Sequence, residues 1–188
     1  QVFSASDLEG GGETTVTMNG ADDPSSDQTT GQIAISRIPG GRFVVAWEDA
    51  TNGGDIHARI YNDGGAAVGS EIVVNTDATA LPNQQSSPSI ASLHDGTFVI
   101  TWTNKSSTSA SAPTSGTISG RRFDGNGNYV GNEFSITELS AEDRSDIGTL
   151  VDGRQAIAFQ SGGEIYVKLF ATLNPVPGSP VDNIIGGT

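Results

Sequence analysis

Oxygen-bearing side chains at alternate positions mark the run Asp124-Gly125-Asn126-Gly127-Asn128. Asp124, Asn126 and Asn128 on a glycine-rich loop have the spacing that wraps a hard cation, and calcium is the ion such a loop suits. The acid that completes an EF-hand is missing at its proper distance. Glu133 follows nine residues after Asp124 and falls on the next expected strand. The same letters also make a tight hairpin turn, because Asp, Asn and Gly all tolerate its backbone angles. The counterpart run Asn62-Asp63-Gly64-Gly65 is a poorer cage.

A second polar group gathers at Glu48, Asp49, Asp55 and His57, with Asn104 at the matching place further along. Polar residues on loops at one end of a rigid scaffold are where binding sites are grafted, so these five are the candidate ligand contacts. Glu71 and Glu133 invite a paired-carboxylate reading, since glycoside hydrolysis uses two acids. They occupy equivalent positions of different repeats, which separates them. The expected partners are instead the basic residues of the neighbouring strand, Arg59 for Glu71 and Arg121 for Glu133. Trp47 and Trp102 could stack on a sugar, but they lie on apolar strands and read as core. His57 and His94 lack metal-ligand spacing. No nucleophile elbow, phosphate loop or dinucleotide fingerprint occurs.

The elements that must position these residues come in repeats. Ile35 to Trp47, Ile90 to Trp102 and Ile147 to Phe159 align over thirteen positions without a gap. Trp47 and Trp102 are 55 residues apart, and Trp102 and Phe159 are 57 apart. A second block follows: Ile56 to Tyr61, Ile118 to Phe123 and Ile165 to Phe170. A third closes the unit: Val68 to Ile72 matches Val130 to Phe134, and Val176 to Val181 keeps the outline with Pro180 in place of the glutamate.

Each unit reads as four short strands. Gly40-Gly41, Asp95-Gly96 and Asp152-Gly153 are hairpin dipeptides between strands one and two. The second strand is apolar on both faces, which places it inside a sheet covered on both sides. The third alternates around a basic residue and is expected to be half exposed. The chain is therefore all-β, with three four-stranded units as β-propeller-like blades; a β-prism or a β-trefoil is the alternative. Residues 1–24 form an N-terminal extension or exchanged strand. Residues 25–80, 81–140 and 141–188 are the three units, the last degenerate and carrying a tail. Three blades do not close a ring, so self-association or neighbouring repeats are expected. The Ser- and Thr-rich stretch from Asn104 to Ser115 is the longest inter-strand loop.

Composition narrows the partners. The 188 residues carry a net charge of −13 from nine basic and 22 acidic residues. Such a surface repels phosphate backbones and anionic bilayers, which excludes nucleic acid as a partner. No run approaches the ~18 apolar residues of a membrane span, so membrane insertion is not expected. There is no cysteine, hence no disulfide, thiol catalysis or Cys-ligated metal. Gln1 to Gly20 lacks a basic start and an apolar stretch, so the chain reads as a processed or excised segment.

The string Leu93-x-Asp95-Gly96-x-Phe98-Val99-x-x-Trp102, followed by Ile118-x-x-Arg121-x-Phe123-Asp124-x-x-Gly127-x-x-Val130-Gly131-x-Glu133-Phe134, resembles a repeat of large bacterial secreted and surface proteins of the RTX kind. The resemblance spans residues 30–185. It implies a secreted or cell-surface location and an association with calcium, although the nonapeptide G-G-x-G-x-D of that class does not occur. The expected function is a non-catalytic extracellular binding or adhesion module whose partner is a glycan or cell-surface ligand. A structural subunit of a surface layer, filament or particle coat is a second reading, and a fragment of a propeller-type hydrolase a third.

Overall fold

The computed structural model describes residues 32–49, 55–76, 83–106, 116–136, 144–170 and 184–186. Regular structure among them is entirely β. The first sheet comprises β1 (Ile33–Ile38), β2 (Arg42–Asp49), β3 (Asp55–Asn62) and β4 (Ala67–Val73). The second comprises β5 (Asn83–Ser92), β6 (Phe98–Ser106), β7 (Gly116–Phe123) and β8 (Phe134–Ser135). The third comprises β9 (Ser145–Thr149), β10 (Gln155–Ser161), β11 (Glu164–Phe170) and β12 (Ile184–Gly186). In each sheet, neighbours in sequence are neighbours in space and run antiparallel.

Turn chemistry sets the hairpins. Gly96 and Gly153 take φ of 87° and 86°, where a side chain is disfavoured. The turns close through Gly96 N–H to Leu93 O at 3.2 Å and Gly153 N–H to Leu150 O at 2.9 Å. Asp95 accepts from the Thr97 hydroxyl at 2.6 Å and the Thr97 N–H at 3.1 Å. These bonds, the hydroxyl first, hold Asp95 below the usual carboxylate range. Asp124 is held down likewise, chiefly by the Asn128 amide. A depressed carboxylate binds fewer protons folded than unfolded, so its contribution is complete above the unfolded value near 3.8 and is lost as pH falls through the folded one. The thermal midpoint should therefore drop as the pH is lowered below about 4, and Asp95→Asn combined with Asp124→Asn should flatten that slope.

The sheets stack face to face through two separate cores. Val44, Ala46, Ile56, Ala58 and Ile60 of the first sheet meet Ile90, Phe98, Ile100, Trp102 and Phe123 of the second. Ala91, Val99 and Ile118 of the second meet Ile147, Ile157, Phe159 and Phe170 of the third. Alternation along β6 sends Phe98, Ile100 and Trp102 forward and Val99 backward. The middle sheet is thus covered on both faces, as its apolar second strand requires. Every sheet keeps the same orientation. The face carrying the Trp47, Trp102 or Phe159 position is its leading face, and the opposite face is its trailing one.

One polar device recurs at both interfaces. Val74 N–H bonds Ile56 O at 2.7 Å, and Ile136 N–H bonds Ile118 O at the same distance. The carbonyl of each then accepts from the sheet behind. Arg121 Nη1 donates to Val74 O at 2.8 Å, and Lys168 Nζ donates to Ile136 O at 2.6 Å. The first strands lie side by side and bond through hydroxyls: Ser36 Oγ is 3.1 Å from Ser92 Oγ, and Thr149 Oγ1 donates to Ser92 O at 2.6 Å.

The third strands of the first two sheets are not half exposed: β3 and β7 are largely buried, because the next sheet covers one face, and on β7 Arg121 reaches forward into the interface. β11, with no sheet behind it among the described residues, is half exposed as expected. The fourth strand of the third sheet is Ile184–Gly186, from the tail, paired with β11 of its own sheet. Residues 1–24 and 176–181 lie outside the described residues.

Gly127, at φ 87°, lets the β7–β8 turn approach the first sheet. A Cβ there would stand 2.5 Å from Ile72 Cδ1. Gly127→Ala should lower stability by about 2 kcal/mol, from left-handed strain plus displacement of Ile72, read from the urea midpoint.

Candidate functional site

The five candidate ligand contacts lie on strands, not loops. The β2–β3 ladder continues through Glu48↔Ile56 and Asp49↔Asp55, and the β6–β7 ladder through Asn104↔Thr117. Asp49 and His57 do come together, and Glu71 joins them. His57 Nδ1 is 2.5 Å from Glu71 Oε1, and Nε2 is 3.8 Å from Asp49 Oδ2. All three side chains are at most 15% exposed, and the His57 ring stacks at 6.1 Å on Trp47. Bonded to Glu71 and stacked on Trp47, the imidazole joins β3 to β4, with the Asp49 carboxylate near its other nitrogen.

Asp55 turns elsewhere and accepts from Asn75 Nδ2 at 2.9 Å, while Asn75 Oδ1 takes the Ile56 N–H at 2.8 Å. Glu48 is half-buried opposite Ile56. Asn104 accepts from Gln85 Nε2 at 3.0 Å. A bulge between Ala58 and Ile60 shifts the register opposite Arg59, and Glu71 meets His57. The expected pair of Glu133 with Arg121 is replaced. Glu133 accepts from Thr76 N–H and Oγ1, both at 3.3 Å, because Arg121 is committed to Val74.

In the Asp124 run, the carboxylate faces its own turn. Asp124 Oδ1 accepts the N–H groups of Asn126 at 2.8 Å and Asn128 at 2.9 Å, and Oδ2 accepts Asn128 Nδ2 at 2.8 Å. Asn126 Oδ1 accepts from Arg42 Nη1 at 3.3 Å. A cation held here would have to compete with these donors for the same oxygens. Among the described residues, no three His, Cys, Asp or Glu side chains converge as a metal site.

A cleft of about 480 Å³ lies where the three first strands meet. Its lining includes Gln32 and Ile33 of the first sheet, Ser89 of the second, and Arg144, Ser145, Asp146 and Gln160 of the third. The polar ones gather where β1 and β9 begin. Ile33 pairs with Trp47 there, which sets Gln32 level with Glu48, and Ser145 pairs with Phe159, which sets Arg144 level with Gln160. Thus the cleft shares an end of the stack with the candidate ligand contacts, although its described lining contains none of them.

Ser89 Oγ donates to Asp146 Oδ1 at 2.6 Å and accepts the Ile147 N–H at 3.2 Å, which fixes the carboxylate at the cleft. Asp146 remains exposed. Ser145 Oγ is buried and has no hydrogen-bond partner among the described residues. Amide, hydroxyl, guanidinium and carboxylate groups beside apolar Ile33 and Phe159 can serve a ligand with both hydroxyls and apolar faces. Turn chemistry and loop polarity did not point to these residues. The available signal was polar side chains interrupting otherwise apolar first strands, as in Ser145-Asp146 before Ile147.

No protein-family model and no curated protein matches the chain. Solved structures do resemble it in fold. A Hadza microbial sialidase superposes with a TM-score of 0.56 at 15% identity, over 73% of this chain and 34% of that one. An alpha-L-arabinanase from Penicillium chrysogenum, complexed with arabinobiose, gives 0.52 at 12% identity, over 74% and 43%. A protein of unknown function from Dyadobacter fermentans gives 0.57 at 11% identity, over 77% and 51%. The chain spans about a third to a half of the length of these structures.

Proposed function

We propose that the three sheets are blades of a β-propeller and that the chain is a non-catalytic carbohydrate-binding module of an extracellular protein. Two separate cores with a doubly covered middle sheet suit blades better than the single-core walls of a prism or trefoil. The observation that carries the functional reading is the first-strand cleft. Its volume is that of a small-ligand site, and its lining alternates hydrogen-bonding and apolar groups as a sugar ring does. Two of the proteins similar in fold are a sialidase and an arabinanase, which agrees with a saccharide as the ligand class. Among the described lining residues the only carboxylate is Asp146, whereas glycoside hydrolysis commonly takes a pair, and this favours binding over cleavage.

A glycan array probed with the chain, with and without added calcium, tests the reading. Retention of a defined saccharide is expected. Asp146→Ala should weaken it about tenfold by removing a charged hydrogen-bonding group, while Asp146→Asn should keep the bond to Ser89 and the melting temperature. Absence of binding in both arms, or full affinity in Asp146→Ala, would overturn the proposal.

A further inference from the structure

Repeat-equivalent positions have opposite exposures at the two ends of the stack. On trailing faces, Ile56 and Ile118 are 0% exposed beneath the following sheet, whereas the equivalent Ile165 of the third sheet is 64% exposed. On leading faces, Ile90 and Ile147 are 8% and 6% exposed, whereas the equivalent Ile35 of the first sheet is 68% exposed. Ile33 and Val167 continue these two exposures along β1 and β11, whereas Trp47 and Tyr61, on the same face as Ile35, are 3% exposed. Arg59 occupies the place of Arg121 and Lys168, whose side chains reach the carbonyl of the sheet ahead.

Along β1 the first sheet therefore presents the surface that elsewhere receives a trailing face, and the third sheet presents such a trailing face. We propose that a second copy of this chain docks head to tail, its third sheet covering the first sheet of its neighbour, and that two copies close a ring of six sheets. Self-complementary end faces of this kind make heterologous contacts, and those close when the rotation permits. The inference rests on exposure across the repeats and does not depend on the glycan reading. Ile33, Ile35 and Ile165 also line the first-strand cleft, so docking encloses part of its apolar wall.

The internal contacts supply the test. Ser36 and Ser92 touch across the first interface, and their equivalents at the open faces are Gly148 and Arg37. Arg37 is exposed, and a Cβ at Gly148 meets nothing within 4 Å, so both positions accept cysteine. Neither lines the cleft. Light scattering should give twice the chain mass. Under mild oxidation, a mixture of Arg37→Cys and Gly148→Cys chains should form a disulfide-linked dimer, and neither variant alone should. Val167→Glu, on the uncovered trailing face, should leave a folded species at the single-chain mass. A stable wild-type monomer, cross-linking of either variant with itself, or an unchanged mass in Val167→Glu would overturn the proposal. Loss of glycan binding without change of mass would leave docking intact and reject only the cleft as the sugar site.

Discussion

Trp102→Ala should cost the folded chain about 3–4 kcal/mol, read as a fall in urea midpoint at unchanged slope. Trp102 is fully buried between the first two sheets, in one cluster with Val44, Ala46, Ile56 and Ile100. Removing a buried indole forfeits its transfer free energy and leaves a cavity that strands held on both sides cannot collapse to fill. One offset keeps the figure below the top of the usual range. The indole Nε1 has no hydrogen-bond partner among the described residues, so its loss relieves a desolvated donor. Trp102→Phe should then be mild, about 1 kcal/mol, since phenylalanine fills the equivalent place at Phe159.

Arg121→Met should cost about 3 kcal/mol. The guanidinium is buried, donates to Val74 O and to Thr76 Oγ1 at 3.1 Å, and lies 4.3 Å from the Tyr129 ring centroid. Methionine fills much of the volume but leaves the Val74 carbonyl without its charged donor and removes the cation from the ring. Arg121→Lys should recover about half of the loss, because Lys168 makes the corresponding bond one interface later. Chemical unfolding of both variants measures the difference. Equal losses in Met and Lys would show that packing of the stem outweighs the bond.

The repeated hairpins were legible because their causes are local. Asp95-Gly96 and Asp152-Gly153 turn the chain where positive φ is needed, and an apolar run such as Phe98 to Trp102 declares two covered faces. The loop assignment of Glu48, Asp49 and Asn104 failed for a non-local reason. Whether a ladder continues depends on the strand it meets, and Asp49 finds Asp55 across the pair. Arg121 looked like a partner for Glu133 because strand adjacency was the only geometry available. A carbonyl on another sheet decided otherwise. The cleft was hidden most deeply. Gln32, Ser89 and Asp146 are remote in sequence and meet only because the first strands converge.

Among the described residues, each sheet is a meander whose four strands follow one another along the chain. Every ladder can therefore form from its own stretch of polypeptide, without waiting for distant segments. During synthesis, the first sheet has all its strands once residue 73 has emerged, and the second once residue 135 has. Each new sheet then meets a finished trailing face already waiting for it. Assembly of the stack is thereby ordered in time from the amino end, with each unit serving as the template for the next.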